Sequence, residues 1–336
     1  MLKTAINMLV NNINLSEKEM ADCMNEIMEG KATDSQIGAF LTALRIKGET
    51  VEEITGAAKI MRDKAIAIKA PEGVLDTCGT GGDMSHTFNI STTTAIVVSA
   101  CGVPVAKHGN RSVSSQSGSA DLLEALGIKI DLPPEKVEKC LSETDFGFLF
   151  APLFHPAMKY AIGPRREMGI RTVFNILGPL TNPAGAKRQL IGVFADSLTE
   201  TLAMVLGNLG AVDAMVIHGK DGLDEISISD ATKVSWFKNG EVKNFSIAPE
   251  DFGIERQKID SIRGGRKEEN ASITLSILKG ERGPKRDIVL MNSAAALIVS
   301  AKARDFRKAL DMAAEAIDSG RALKKLEEVR RVSNLL

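Results

Sequence analysis

Aromatic residues are scarce, 4% of 336, with a single tryptophan (Trp236) and a single tyrosine (Tyr160). That leaves little material for base-stacking platforms. Neither sign of charge is in excess. Lys and Arg number 42 against 43 Asp and Glu, a net charge of −1. No global field therefore draws in nucleic acid or a membrane surface, and any anionic ligand must be held by local groups. Cysteine is sparse and scattered (Cys23, Cys78, Cys101, Cys140). No C-x-x-C pair marks a zinc site and no disulfide framework is apparent. A reducing, cytoplasmic setting is expected. Long apolar runs are missing as well. The longest, residues 95–105, falls far short of a bilayer. The N-terminal stretch turns polar too soon for a signal peptide or a membrane span.

What is there is ample for a folded core: 44% apolar residues in a length that suggests about two domains. The first seventy residues read as about four helices. Ser16 with Glu19, Thr33 with Gln36 and Thr50 with Glu53 are capping-box pairs, each an N-cap hydroxyl with an acceptor three residues on. Met20, Cys23, Met24, Ile27 and Met28 form one apolar face, as do Ile37, Phe40, Leu41 and Leu44. Gly30 and Gly48 are plausible stops. Such a lobe carries no chemistry but could supply a dimer surface.

From residue 70 the pattern changes to short apolar runs, glycine-rich turns and helices. Strands are expected at 74–78, 103–106, 190–195, 214–218 and 233–237, and helices at 91–100, 120–126 and 198–209. This alternation predicts an α/β domain with a mainly parallel sheet. Residues 256–270 read as an exposed loop and residues 293–336 as helical.

Gly79-Thr80-Gly81-Gly82-Asp83 follows the first strand, at the sheet edge where open α/β folds bind ligands. It reads equally as a tight structural turn or as a nest of N–H groups for an anion. It is neither the Rossmann G-x-G-x-x-G nor a P-loop. The hydroxyl-rich Asn89-Ile90-Ser91-Thr92 opens the next helix. Either Ser91 simply caps that helix or the free N–H groups hold an anion. Lys107-His108-Gly109-Asn110-Arg111-Ser112-Val113-Ser114-Ser115 is a dense donor set after the second strand. Arg165, Arg166 and Arg171 could clamp a carboxylate or form a solvated turn with Glu167. Asp224-Glu225 lies beyond a strand end, where paired carboxylates suit Mg²⁺ or make an ordinary acidic loop.

These segments occur in one order with Gly118-Ser119-Ala120-Asp121, His155-Pro156-Ala157-Met158-Lys159 and the run from Phe174 to Pro183. Together they resemble the anthranilate phosphoribosyltransferases over nearly the whole chain. The resemblance implies the nucleoside phosphorylase-like phosphoribosyltransferase fold. A small all-α domain would comprise residues 1–70 plus about 151–180, and a large α/β domain residues 71–150 plus about 181–336. It implies transfer of the phosphoribosyl group of 5-phosphoribosyl diphosphate (PRPP) to anthranilate, in tryptophan biosynthesis. Gly79, Gly82, Asp83, Thr87, Asn89, Ile90, Ser91 and Thr92 would bind PRPP. So would Lys107, His108, Gly109, Asn110, Arg111, Ser112, Val113, Ser114, Ser115 and Ser119. Gly79, Asn110 and Arg165 would contact anthranilate. Two Mg²⁺ ions would be held by Ser91, Asp224 and Glu225. Family members are usually homodimers through the helical domain. Phe154 stands where many relatives have a histidine before His155. Two other readings are a pyrimidine nucleoside phosphorylase-like enzyme, which needs no Mg²⁺ pair, and a nucleic-acid-binding relative, which the charge and aromatic content disfavour.

Overall fold

The computed structural model describes residues 1–112 and 116–336. Val113, Ser114 and Ser115, named above as PRPP contacts, lie outside the described residues.

The N-terminal helices are α1 (Leu2–Val10), α2 (Glu17–Met28), α3 (Asp34–Lys47) and α4 (Val51–Asp63). Ser16, Thr33 and Thr50 each accept the N3 amide of α2, α3 and α4, and Glu19, Gln36 and Glu53 return the bond to the N-cap amide. Orphan donors are thus satisfied before any packing begins. Gly48 ends α3 at φ +89, and Gly30 follows α2 at φ +70.

The chain continues through β1 (Leu75–Gly79), α5 (Ile90–Ala100), β2 (Val105–Gly109), α6 (Ser119–Ala125), α7 (Pro134–Thr144) and β3 (Phe146–Phe150). Short helices α8 (Ala151–Phe154), α9 (Lys159–Met168) and α10 (Phe174–Leu177) follow. Next come β4 (Arg188–Gly192), α11 (Leu198–Asn208), β5 (Asp213–Gly219), β6 (Thr232–Lys238) and β7 (Glu241–Ile247). Four helices close the chain: α12 (Lys267–Leu278), α13 (Pro284–Val299), α14 (Phe306–Asp318) and α15 (Arg321–Leu335).

The seven strands form one sheet in the order β3-β2-β1-β4-β5-β6-β7. The first five are parallel and the last two antiparallel. Strand order reverses between β1 and β4, so the switch point of this doubly wound sheet lies at their carboxyl ends, where Gly79 pairs with Gly192. Side chains alternate between two cores, as the two-residue strand period requires. Leu190, Met215 and Ile217 face a core shared with α5, α13, α14 and α15. Ile191, Ala214 and Val216 face one shared with α11, the N-terminal helices and Val173, Phe174, Ile176, Leu177 and Leu180. Arg62 fixes the second arrangement, donating to the carbonyls of Leu180 at 2.7 Å and Leu209 at 3.0 Å.

Several boundaries differ from expectation. Strand β2 starts at Val105 rather than 103, since Pro104 has no N–H to donate to a ladder. Lys107 and His108 consequently sit inside a strand and are buried, not in a loop after it. Strands β3 and β7 were not anticipated. The first is a continuous apolar run, the mark of a strand buried on both faces. The second is a polar edge strand joined to β6 through Asn239 (φ +53) and Gly240 (φ +83); this Asn-Gly pair is itself a hairpin signal. Residues 256–270 are not simply an exposed loop. Ile262 is buried, α12 begins at Lys267, and Gly264 approaches Phe88 so closely that a Cβ would lie 2.6 Å from its backbone. The C-terminal helices begin at Pro284, earlier than 293.

Candidate active site

At the end of β1 the backbone turns sharply. Thr80 N–H donates to Gly192 O at 2.9 Å, and Gly81 N–H donates to Asp224 Oδ2 at 2.9 Å. Gly81 and Gly82 have φ of +67° and +75°, backbone that a side chain strains. Gly79 is needed for a different reason: a Cβ there would meet Asp224 Oδ2 at 2.6 Å. The turn is thus a structural device and an open row of backbone at once. Asp83 accepts Ser85 N–H at 3.2 Å, which holds its carboxylate beside the turn.

Asn89, not Ser91, is the N-cap of α5. Its side chain is fully engaged: it donates to Ser117 O at 3.0 Å and accepts from Asn270 at 3.0 Å. Ser91 N–H, in the first turn, donates to Glu225 Oε1 at 3.0 Å. Thr92 is buried. Thr87 pairs with Arg263 as an isolated bridge.

Lys107 is buried on β2 and donates to Thr77 O. Asp76, also buried, accepts His108 N–H at 3.2 Å and Asn182 Nδ2 at 2.8 Å. The His108 ring is held at both nitrogens, with Nδ1 3.2 Å from Gly178 O and Nε2 3.2 Å from His155 Nε2. Arg111 turns toward α6, pairing with Asp121 at 2.8 Å and Glu124 at 2.9 Å. Ser112 N–H donates to Asp121, and Ser119 Oγ to Asn110 O at 3.3 Å. Gly109 leaves room for Ser119, whose Oγ would otherwise lie 2.1 Å from a Cβ. The side chains of Asn89, His108 and Arg111 therefore all have partners within the protein.

The electrostatics centre on three carboxylates. Burial, followed by the nearby Asp83 charge, pushes Asp224 up to about 7. Glu225 is likewise raised well above the ordinary carboxylate range by burial and by Asp224, against the opposing charge of Lys107. Burial lowers Lys107 in turn. Three carboxylates against one buried lysine leave the set short of positive charge, which a divalent cation would supply. All its donors are oxygens, the preference of Mg²⁺. Among the described residues no three His, Cys, Asp or Glu side chains converge as a ready-made cage. That fits a cation which usually takes one or two carboxylates and completes its shell with water and phosphate oxygens.

Arg165 is on α9, with its guanidinium 5.0 Å from the Phe174 ring centre. Among the described residues it has no ion-pair partner, Glu167 included. Arg171, one of the three arginines read as a carboxylate clamp or a solvated turn, donates instead to Gly82 O and lies 4.2 Å over the Phe194 ring. Its place in an arginine-rich segment was the available signal.

A helical bundle on a doubly wound sheet, with a glycine turn and carboxylates at the switch point, is the construction of a glycosyl transferase family. Residues 3–65 match that family's helical bundle domain and residues 71–323 its a/b domain. The anthranilate phosphoribosyltransferase of Acetivibrio thermocellus is 57% identical over 99% of this chain and 97% of that protein. The crystal structure of the Thermus thermophilus enzyme of that name superposes with a TM-score of 0.93 at 39% identity, covering 98% of this chain and 99% of that one. The Saccharomyces cerevisiae enzyme, solved in complex with PRPP and Mg, superposes with a TM-score of 0.91 at 30% identity, covering 100% and 98%. The chain belongs to the anthranilate phosphoribosyltransferase family.

Proposed function

We propose that the cleft at the β1–β4 switch point is where this chain carries out its family's reaction. The phosphoribosyl group of PRPP passes to the amine of anthranilate, giving N-(5-phosphoribosyl)anthranilate and diphosphate, a step of tryptophan biosynthesis. The observation that carries this assignment is the meeting of Gly79–Asp83, the first turn of α5 and Asp224-Glu225 in one place. Backbone N–H groups at a glycine turn and a helix start hold phosphate oxygens. Gly79, Gly82, Asp83, Thr87, Asn89 to Thr92, Lys107 to Ser112 and Ser119 form that surface.

Mg²⁺ belongs to the site, and two ions held by Ser91, Asp224 and Glu225 are the finer reading. When bound, the metal offsets negative charge as the diphosphate departs. The chain's own residues do the positioning. Asp224 anchors the glycine turn through Gly81, and Glu225 anchors the start of α5 through Ser91. Arg165, without a carboxylate partner among the described residues, takes the carboxylate of anthranilate, and Gly79 and Asn110 are the other acceptor contacts of this reading. An aromatic amine is neutral at physiological pH, so no strong general base is needed, and orientation supplies much of the rate.

The division into residues 1–70 plus about 151–180 and residues 71–150 plus about 181–336 belongs to this reading, its returning segment supported by the packing of Val173, Phe174, Ile176, Leu177 and Leu180 with the N-terminal helices. So do a homodimer through the helical lobe and a cytoplasmic location. Among the described residues no helix is long and apolar enough to cross a membrane. The test is the loss of anthranilate fluorescence on adding PRPP and Mg²⁺. A decay that needs both is expected, and anthranilate left unconsumed by the folded protein would overturn the assignment.

A further inference from the structure

Resting on the reading above, we infer that Arg171 is a positioning residue that ties the glycine turn to the segment bearing Arg165. Three observations converge on it. Arg171 lies just beyond α9, the helix that carries Arg165, and before α10, whose Phe174 lies under the Arg165 guanidinium. Its Nη2 donates to the Gly82 carbonyl, at the left-handed residue of the turn. Its guanidinium rests 4.2 Å over Phe194, and Phe194 N–H donates to Thr80 Oγ1 at 3.1 Å. Arg171 therefore grips the turn at Gly82, while the residue under its guanidinium binds the same turn at Thr80. A shift of the turn is felt by the 169–173 connection, and so by the arginine at the acceptor side.

The planar fork of the guanidinium is not what this role uses. One N–H donor to a carbonyl and a cation over a ring suffice, and lysine can supply both. A direct bidentate grip on a phosphate would need the planar fork. The variants R171A, R171K and F194L separate the two. Steady-state kinetics should show R171A raising KM for PRPP and for anthranilate by about tenfold, with kcat at saturation within about twofold. A merely structural defect lowers kcat through loss of folded enzyme and leaves KM alone. R171K should recover most of both KM values. F194L should raise them in the same direction and add nothing further in the R171A background. R171A kinetics like those of the parent, no recovery in R171K, or additive losses with F194L would each overturn the inference. If R171A does not fold, R171K and F194L decide the matter. Activity of the parent protein tests the underlying assignment separately, because it involves none of these variants.

Discussion

Asp224 and Glu225 are carboxylates held where their neutral forms are favoured, and that carries a measurable signature. The folded value of Asp224 is raised to about 7, above the ordinary carboxylate range. Its contribution to stability without metal is therefore present at acid pH and lost as the pH rises through about 7. Mg²⁺ binds the ionised form, so the rise in thermal midpoint on adding Mg²⁺ should be larger near pH 8 than near pH 6. Replacing both residues by alanine should remove that pH dependence and lower kcat/KM for PRPP by roughly 100-fold, about 3 kcal/mol of leaving-group stabilisation. An unchanged Mg²⁺ response in the double variant would take the metal away from these residues. Arg165 makes the complementary case. Arg165→Ala should raise KM for anthranilate, costing about 1.5–3 kcal/mol in kcat/KM, while KM for PRPP stays nearly fixed. Arg165→Lys should recover little, because a point charge lacks the fork. Equal effects on both substrates would show that the arginine serves something other than the acceptor.

Between elements, the tightest polar contact linking β2 to the segment after α8 is a histidine pair. Burial, then the neighbouring ring, pushes His108 down to about 3, and burial pushes His155 down to about 4. Both folded values lie below the ordinary 6.5. Stability from this pair is full above that value and lost as pH falls toward 4 and then 3. Urea midpoints measured across this range should fall with acid in the parent and more gently in His155→Gln; parallel curves would acquit the pair. Nothing in the sequence announced this contact, since it joins residues 47 positions apart. The local signals were legible. Capping boxes depend on residues three apart, and all three formed. The glycine turn and Asp224-Glu225 were visible as motifs, though Gly79 owes its identity to a carboxylate that a motif cannot show. The polar edge strand β7 escaped because it is largely exposed, so few apolar residues set a period, and β3 because a short apolar run fits a helix as well as a strand. Arg171 was legible as one of three clustered arginines, but its tie to the glycine turn was not, because its partners are a backbone carbonyl and a ring on distant segments.

At the scale of the molecule, the two cores are unequal in their dependence on distant sequence. The N-terminal helices pack largely on one another, whereas their remaining apolar face needs α11, β4 and β5. Refolding from urea should therefore restore helical circular dichroism before catalytic activity, because loop closure precedes the pairing of distant strands. Simultaneous recovery of the two signals in stopped-flow and delayed-assay experiments would contradict this order. The bond from Gly81 to Asp224 spans 143 residues. On a translating ribosome, at about 5–20 residues per second, roughly 7–30 s separate the synthesis of its two ends. For that interval the nascent chain carries a glycine turn without the carboxylate that shapes it, and an apolar helical face without its cover. A chaperone that shields the face until β5 emerges would raise the yield of active enzyme more than it raises the yield of helix.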